Sequence, residues 1–378
     1  MITNAKNVER HLRPFAISQS WIKELNAPIV TAKKQKESSP FLKSAAKLLP
    51  VLGMGNLNFL RPVPGQARVW VEGQEMEGAE EEVWEGGNMR IGAFELSYPL
   101  PELREPHALA MLRPWIDVGS VGTMILSQLE SYFGAKQLGK LARPGNFFDF
   151  TRYRPTIYFR EGRREVSIPN ITITYAKQEK GQDFLFLRLL EPHALGEVYV
   201  DSVVQLLKRF GTKRFCLLGS MYDMVPHTRK LLVSGGAIGE KAEQDLEEAG
   251  IQPSDYEGPT TINFLITQQA SQLNIETLWF IVHLPQYVQL EEDYIGKVRL
   301  LEVLGALYDL PKDKADVEKA KQQLEKINAA IEQNPQLKSI MPQIEAQYEA
   351  KVEKREPTRL SPEVENFLRE LGNRFSQN

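Results

Sequence analysis

The chain has 378 residues, 42% of them hydrophobic, with 46 basic against 49 acidic side chains and a formal charge of -3; this suffices for one large core plus smaller attachments. A near-neutral balance without a dense basic stripe argues against nucleic acid as the main partner, and no apolar run approaches the roughly 20 residues that span a bilayer. Cys216 is the only cysteine, which excludes an intrachain disulfide framework, and the opening Met1-Ile2-Thr3-Asn4-Ala5-Lys6 lacks the apolar core of a secretory signal, so a cytoplasmic protein is expected.

Residues 1–100 read as a partly irregular N-terminal extension, with a polar stretch from Lys33 to Pro40, a loop-rich part from Gly53 to Gly65 and an acidic cluster from Glu75 to Glu85. A short helix is expected at Phe41 to Leu49 and short strands at Val69 to Val71 and Met89 to Phe94. Gly53-Met54-Gly55-Asn56 reads as a loop rather than a phosphate cradle, because no strand precedes it and no periodic helix follows.

From Glu105 short apolar runs alternate with amphipathic segments, and residues 101–310 read as an α/β core domain. Strands are expected at Ala108 to Leu112, Thr156 to Phe159, Val166 to Tyr175, Phe184 to Leu190, Phe215 to Met221 and Leu278 to Leu284. In the third, Ile171, Ile173 and Tyr175 alternate with Thr172 and Thr174, which predicts one buried and one exposed face. Helices are expected at Gly119 to Phe133, Val198 to Phe210, Lys241 to Ala249, Ile262 to Leu273 and Gly296 to Tyr308. The alternation favours a mostly parallel sheet covered on both faces, with Val166 to Tyr175 a candidate antiparallel addition.

Residues 311–378 form a C-terminal helical segment. Val317, Ala320, Leu324, Ile327 and Ile331 make a narrow apolar seam, continued by Leu337, Ile340, Ile344 and Tyr348 after Asn334-Pro335, where the proline starts a new helix. Ser361 and Pro362 begin a last helix burying Val364, Phe367, Leu368 and Leu371. The seam fits either a lid on the core or an interface with another molecule.

Candidate functional residues cluster where strands end, since ligands of open α/β sheets bind outside the carboxyl ends of the strands. Glu191-Pro192-His193 follows one apolar run and Pro226-His227-Thr228-Arg229 another, while Tyr256-Glu257-Gly258-Pro259-Thr260 precedes a helix. A carboxylate beside an imidazole suits acid/base work, and an arginine near a glycine turn suits an anion. The bland counterpart is that the histidines bond loop backbones and that Glu191 and Arg229 form a buried pair. Asp117 and Gly119 lie in a turn entering a helix, where free N–H groups can hold a phosphate or simply close a tight turn. Gly219-Ser220-Met221 is not a nucleophile elbow. Histidines 11, 107, 193, 227 and 283 show no short metal-ligand pair, and His283, in the apolar run Trp279 to Pro285, reads as a satisfied core or strand-end histidine rather than a ligand, so neither metal nor cofactor is expected.

These runs, in this order and after a strand–helix unit, resemble the bacterial branch of the proteasome assembly chaperone family, second-chaperone type, from about Glu105 to Leu371. The resemblance implies a three-layer α/β/α sandwich of phosphorylase/hydrolase-like form with a C-terminal helical extension, commonly self-associating. It also implies a non-enzymatic role in protein assembly, with protein partners unknown and a homo-oligomer expected. The alternative is a phosphorylase- or hydrolase-like enzyme, or a binder of small anions or nucleosides, using the crevice. Glu191, His193, His227, Thr228, Arg229, Tyr256, Glu257 and Gly258 fall on the family's motif positions; Asp117, Gly119 and Tyr287 complete the expected crevice. The chain departs from the pattern at Gln286, where a histidine is usual, and at Trp115-Ile116-Asp117, where the family is richer in glycine. Its end, Phe375-Ser376-Gln377-Asn378, lacks the hydrophobic-tyrosine tail that docks into proteasome pockets.

Overall fold

The computed structural model describes residues 83–84 and 87–353, apart from 255, 309, 311 and 312. The readings at Phe41 to Leu49, Gly53 to Asn56, Val69 to Val71 and Ser361 to Leu371 lie outside the described residues. The strands are β1 Val83–Trp84, β2 Asn88–Ile91, β3 Phe94–Ser97, β4 His107–Arg113, β5 Lys136–Leu141, β6 Thr156–Arg160, β7 Arg163–Ser167, β8 Thr172–Ala176, β9 Phe184–Leu190, β10 Arg214–Asp223, β11 Val233–Ile238, β12 Gln252–Pro253 and β13 Glu276–Pro285. The helices are α1 Val121–Tyr132, α2 Gly196–Arg209, α3 Glu240–Glu248, α4 Ile262–Gln272, α5 Tyr294–Tyr308, α6 Lys314–Glu332 and α7 Pro335–Val352.

Eleven of the described strands form one sheet in the order β1-β2-β3-β5-β8-β9-β4-β10-β13-β11-β12. Its centre, β9-β4-β10-β13, is parallel, so all four strands deliver their following loops to one edge. The flanks run antiparallel on both sides of that centre. β9 and β10 are buried almost throughout because helices cover both faces, which is why they read as unbroken apolar runs. α2 and α4 pack on one face, sharing a core with Leu185, Leu187 and Phe215. α1, α3 and α5 pack on the other, against Leu109, Cys216, Leu218 and Phe280. The result is a three-layer α/β fold.

Five expectations change. The sheet is mixed rather than mostly parallel, because β1, β2, β3, β5 and β8 on one flank pair antiparallel, as does β11 with β13 on the other; β2–β3 and β8–β9 are joined by connections too short for the crossover that a parallel pair needs. Met89 to Phe94 is not one strand but the hairpin β2–β3, turning at Gly92, whose φ is +54°. A single strand does not run through 166–175 either: Val166 of β7 pairs with Ile157 of β6, then Ile168-Pro169-Asn170 breaks the ladder and β8 enters the main sheet, as expected where a proline removes a ladder donor. Thr174 is buried rather than exposed, because β8 is flanked by β5 and β9 and α1 lies across it; its hydroxyl donates to Glu130 Oε1 at 2.9 Å. Val317 is half-exposed and leaves the expected seam. Five other seam residues, Ile327, Ile331, Leu337, Ile340 and Ile344, cluster with Tyr287 and Val288, just past β13, while Tyr348 packs against the core under α1, α3 and α5.

β6 and β7 form a separate two-stranded hairpin. Its turn residues Glu161 and Gly162 both have positive φ, 49° and 77°, the conformation that matches the twist of paired strands.

Candidate functional site

Asp117, Glu191, His193, His227, Thr228, Arg229 and Tyr287 sit after one of the four parallel strands, whereas Tyr256, Glu257 and Gly258 lie between β12 at the sheet's edge and α4. Asp117 follows β4. Its carboxylate accepts from the N–H of Thr123 at 3.1 Å and from the Thr123 hydroxyl at 2.6 Å, so it caps the first turn of α1. Burial pushes its carboxyl up, and these bonds offset part of that. Gly119 has φ +61°; its carbonyl accepts from the N–H of Asp293 at 2.8 Å, and a Cβ here would come within 2.7 Å of Asp293 Cβ. The Asp117 carboxylate thus takes up the donor at Thr123 that an incoming anion would need, while the Asp293 carboxylate accepts from the N–H of Gly296 in α5.

Glu191 follows β9. Its Oε1 accepts from the N–H of Ile262 at 2.9 Å, satisfying a free donor at the start of α4. Burial raises its carboxyl above the ordinary range, opposed by that bond. His193 turns elsewhere: Nδ1 accepts from the N–H of Asp149 at 3.1 Å, and its ring lies 4.5 Å from that of Tyr153. The Tyr153 hydroxyl in turn donates to the Glu191 carbonyl at 3.1 Å. Burial, followed by the Arg152 charge, lowers the His193 pKa. Glu191 and His193 therefore fasten two different neighbours, α4 and the 144–153 loop.

His227 follows β10 and Tyr287 follows β13, and these two do meet. Tyr287 Oη accepts the His227 backbone N–H at 2.8 Å and lies 2.7 Å from Nδ1. With Oη already accepting, the phenol proton is placed to donate to Nδ1. Burial lowers the His227 pKa, with Asn328 of α6 opposing. Thr228 bonds Glu345, and Arg229 reaches Glu345 Oε1 at 3.3 Å and Glu349 Oε1 at 3.0 Å. The expected Glu191–Arg229 pair is not formed: Glu191 is spent on α4 and Arg229 on α7. A cavity of about 630 Å³ lies beside this run, lined by His227, Thr228, Arg299, Glu302 and Asn328 among others.

Tyr256, Glu257 and Gly258 lie in an exposed loop leading to α4. Tyr256 donates its hydroxyl to Pro259 O at 2.9 Å, folding the loop on itself, and Gly258 has φ +156° with a would-be Cβ 2.7 Å from that hydroxyl. The arrangement brings together His227 with Tyr287 and Thr228 with Arg229, while Glu191, His193 and the Tyr256 loop serve other contacts. The residues that sequence reasoning missed are the partners: Asp149, Tyr153, Asp293, Asn328, Glu345 and Glu349. Their signal was absent because each sits far along the chain, on an element with its own local pattern. No cluster able to hold a metal ion, and no helix long and apolar enough to cross a membrane, occurs among the described residues.

The fold and the matching sequence have known relatives. The model of the PAC2 family matches residues 111–333. A protein of unknown function from Corynebacterium glutamicum is similar at 19% identity and TM-score 0.61, over 69% of this chain and 98% of that one. A PAC2 family protein from Streptomyces avermitilis is 21% identical with TM-score 0.55, over 63% and 99% of the two chains. A Mycobacterium tuberculosis proteasome-assembly chaperone homologue is 20% identical with TM-score 0.55, over 61% and 98%. Comparison with curated protein sequences gives no match.

Proposed function

Because this chain belongs to the PAC2 family, we propose that it is an assembly-chaperone-like interaction scaffold in the cytoplasm, associating with further copies of itself and using its motif residues for structure rather than chemistry. Support for the last clause comes from where those residues spend their polar groups. Glu191 holds α4, His227 holds Tyr287, and Thr228 and Arg229 hold α7. An anion or nucleoside site at the same rim is less well supported, since two carboxylates engage Arg229 and Asp117 occupies the first turn of α1.

The observation that carries the scaffold reading is the β6–β7 hairpin. All of β6 is exposed, and Ile157, Phe159 and Val166 are 59%, 68% and 56% exposed, with Ile168 beside them. Single exposed apolar side chains are ordinary, but a contiguous set on one projecting element marks a contact surface. Light scattering on the purified protein at micromolar concentration tests it. We expect a mass above that of one chain, reduced by Ile157→Asp with Phe159→Asp. A single-chain mass for the unmodified protein across that range overturns the reading.

A further inference from the structure

One constellation remains outside the motif residues. Asp223 closes β10, His283 stands near the end of β13, and Ser234 near the start of β11, on three strands adjacent in the sheet. Ser234 lies opposite Ile281 in the antiparallel register, and residues two apart on a strand share a face. Ser234 and His283 therefore project from the same side. His283 Nδ1 lies 2.7 Å from Asp223 Oδ2, and His283 Nε2 lies 2.7 Å from Ser234 Oγ.

The direction of these hydrogen bonds follows from charge. Burial acts to raise the Asp223 carboxyl, but hydrogen bonds from His283 and Lys351 outweigh it and hold the group well below the ordinary range. An ionised carboxylate only accepts, so Nδ1 carries the proton of that bond, and Nε2, 2.7 Å from Ser234 Oγ, stands within reach of the hydroxyl proton. His283 is buried, whereas Ser234 is partly exposed, and among the described strands the two-residue β12 alone lies outboard of its strand. On the same face, Trp279 and Ile281 are partly exposed, and the Trp279 ring lies where a side chain on Gly236 would otherwise stand. An apolar floor thus adjoins a polarised hydroxyl.

We propose that Ser234 is a nucleophile, with His283 as its general base and Asp223 as the positioning residue, and that the site cleaves small activated acyl esters. Ser234 Oγ attacks the ester carbonyl carbon while its proton passes to His283 Nε2. The C–O bond to the alcohol breaks, and the alcohol departs with that proton, leaving an acyl group on Oγ. Water then attacks the acyl carbon and gives a proton to Nε2; the bond to Oγ breaks, the proton returns to Oγ, and a carboxylic acid leaves. Ser234 sits on an extended strand rather than a strained elbow, so the N–H groups that an elbow aims at the oxyanion are not preset. That restricts the substrates to esters with good leaving groups.

The test treats the full chain with a fluorophosphonate probe and with p-nitrophenyl acetate, reading intact mass and the modified peptide. A single adduct on Ser234 is expected, absent in Ser234→Ala. His283→Gln should slow labelling by about 100-fold or more, the range a general base contributes. His283 is hydrogen-bonded to Asp223, which also accepts from Lys351 of α7, and to Ser234 of β11. Asp223→Asn should therefore lower the acylation rate by p-nitrophenyl acetate with KM unchanged, because the ring loses the carboxylate that orients it. Ser234→Cys supplies a second readout, with iodoacetamide expected to modify it ahead of the buried Cys216. No adduct, an adduct on other serines, or labelling unchanged in His283→Gln overturns the assignment. Hairpin variants that change the mass of the assembly should leave labelling unchanged, so this site and the scaffold reading fail separately.

Discussion

His107 begins β4 at the amino edge of the sheet, beside a cavity of about 670 Å³ that Arg104, Lys213, Arg214 and Lys241 also line. Its Nδ1 is 3.2 Å from the Tyr308 hydroxyl. Burial first, then the Arg214 and Lys241 charges, lower its pKa from 6.5 to about 4, with Asp245 opposing. The folded pKa lies below the unfolded one, so between those values the unfolded chain binds more protons. Stability is therefore complete above pH 6.5 and falls as pH drops toward 4, by up to about 3 kcal/mol. Urea unfolding at pH 7, 5.5 and 4.5 should show this loss, and His107→Gln should reduce it over that window, leaving the part that comes from His193 and His227, whose pKa values burial also lowers. Side chains of this kind were the least legible in the sequence. His283 looked like a satisfied strand-end histidine and is indeed hydrogen-bonded at both nitrogens. What the sequence could not supply was the identity of its partners, which lie 49 and 60 residues away.

At the scale of elements, legibility followed burial. β4, β9, β10 and β13 are covered on both faces and appeared as apolar runs, and their helices appeared as periodic stripes. β5 and β11 gave no such signal. β5 reads Lys-Gln-Leu-Gly-Lys-Leu, with its first two residues exposed, and β11 carries Gly235 and Gly236 because the backbone and ring of Trp279 leave no room for Cβ atoms there. The attachment of α6 includes one buried ion pair whose worth can be measured. Lys297 Nζ of α5 lies 2.7 Å from Asp316 Oδ2 of α6, with side chains only 8% and 7% exposed. Removing one partner leaves a buried uncompensated charge, which costs about 3 to 5 kcal/mol, whereas replacing both with apolar groups is often neutral. Lys297→Met should therefore lower the unfolding free energy by about that amount, and adding Asp316→Leu should restore most of it. The exposed Arg229–Glu349 contact is a different matter, since solvent screens such pairs and they add little to stability.

For the molecule as a whole, the alternation of strands and helices made the layered α/β architecture and the shared edge of the parallel strands readable in advance. The use made of that edge was not, because periodicity places a residue on an element without saying which neighbour its polar atoms will meet. Glu191 and His193, separated by Pro192 alone, illustrate this by serving α4 and the 144–153 loop respectively. Folding and association should also be separable at this scale. No residue of β6 or β7 belongs to a buried core cluster, and Thr156 pairs directly with Ser167, so the two chain ends of the hairpin lie about 5 Å apart. Replacing residues 157–166 with two glycines can close that gap without moving the sheet. The excised protein should keep its unfolding midpoint within a few degrees, because the deleted segment contributes little apolar burial, while its mass in light scattering falls. Ile344→Ala is the contrasting control: this residue is fully buried in the cluster around Tyr287, and its truncation should cost about 2 to 5 kcal/mol. A large loss of stability on excision would mean that the hairpin belongs to the folding unit, and its apolar surface would then need another explanation than association.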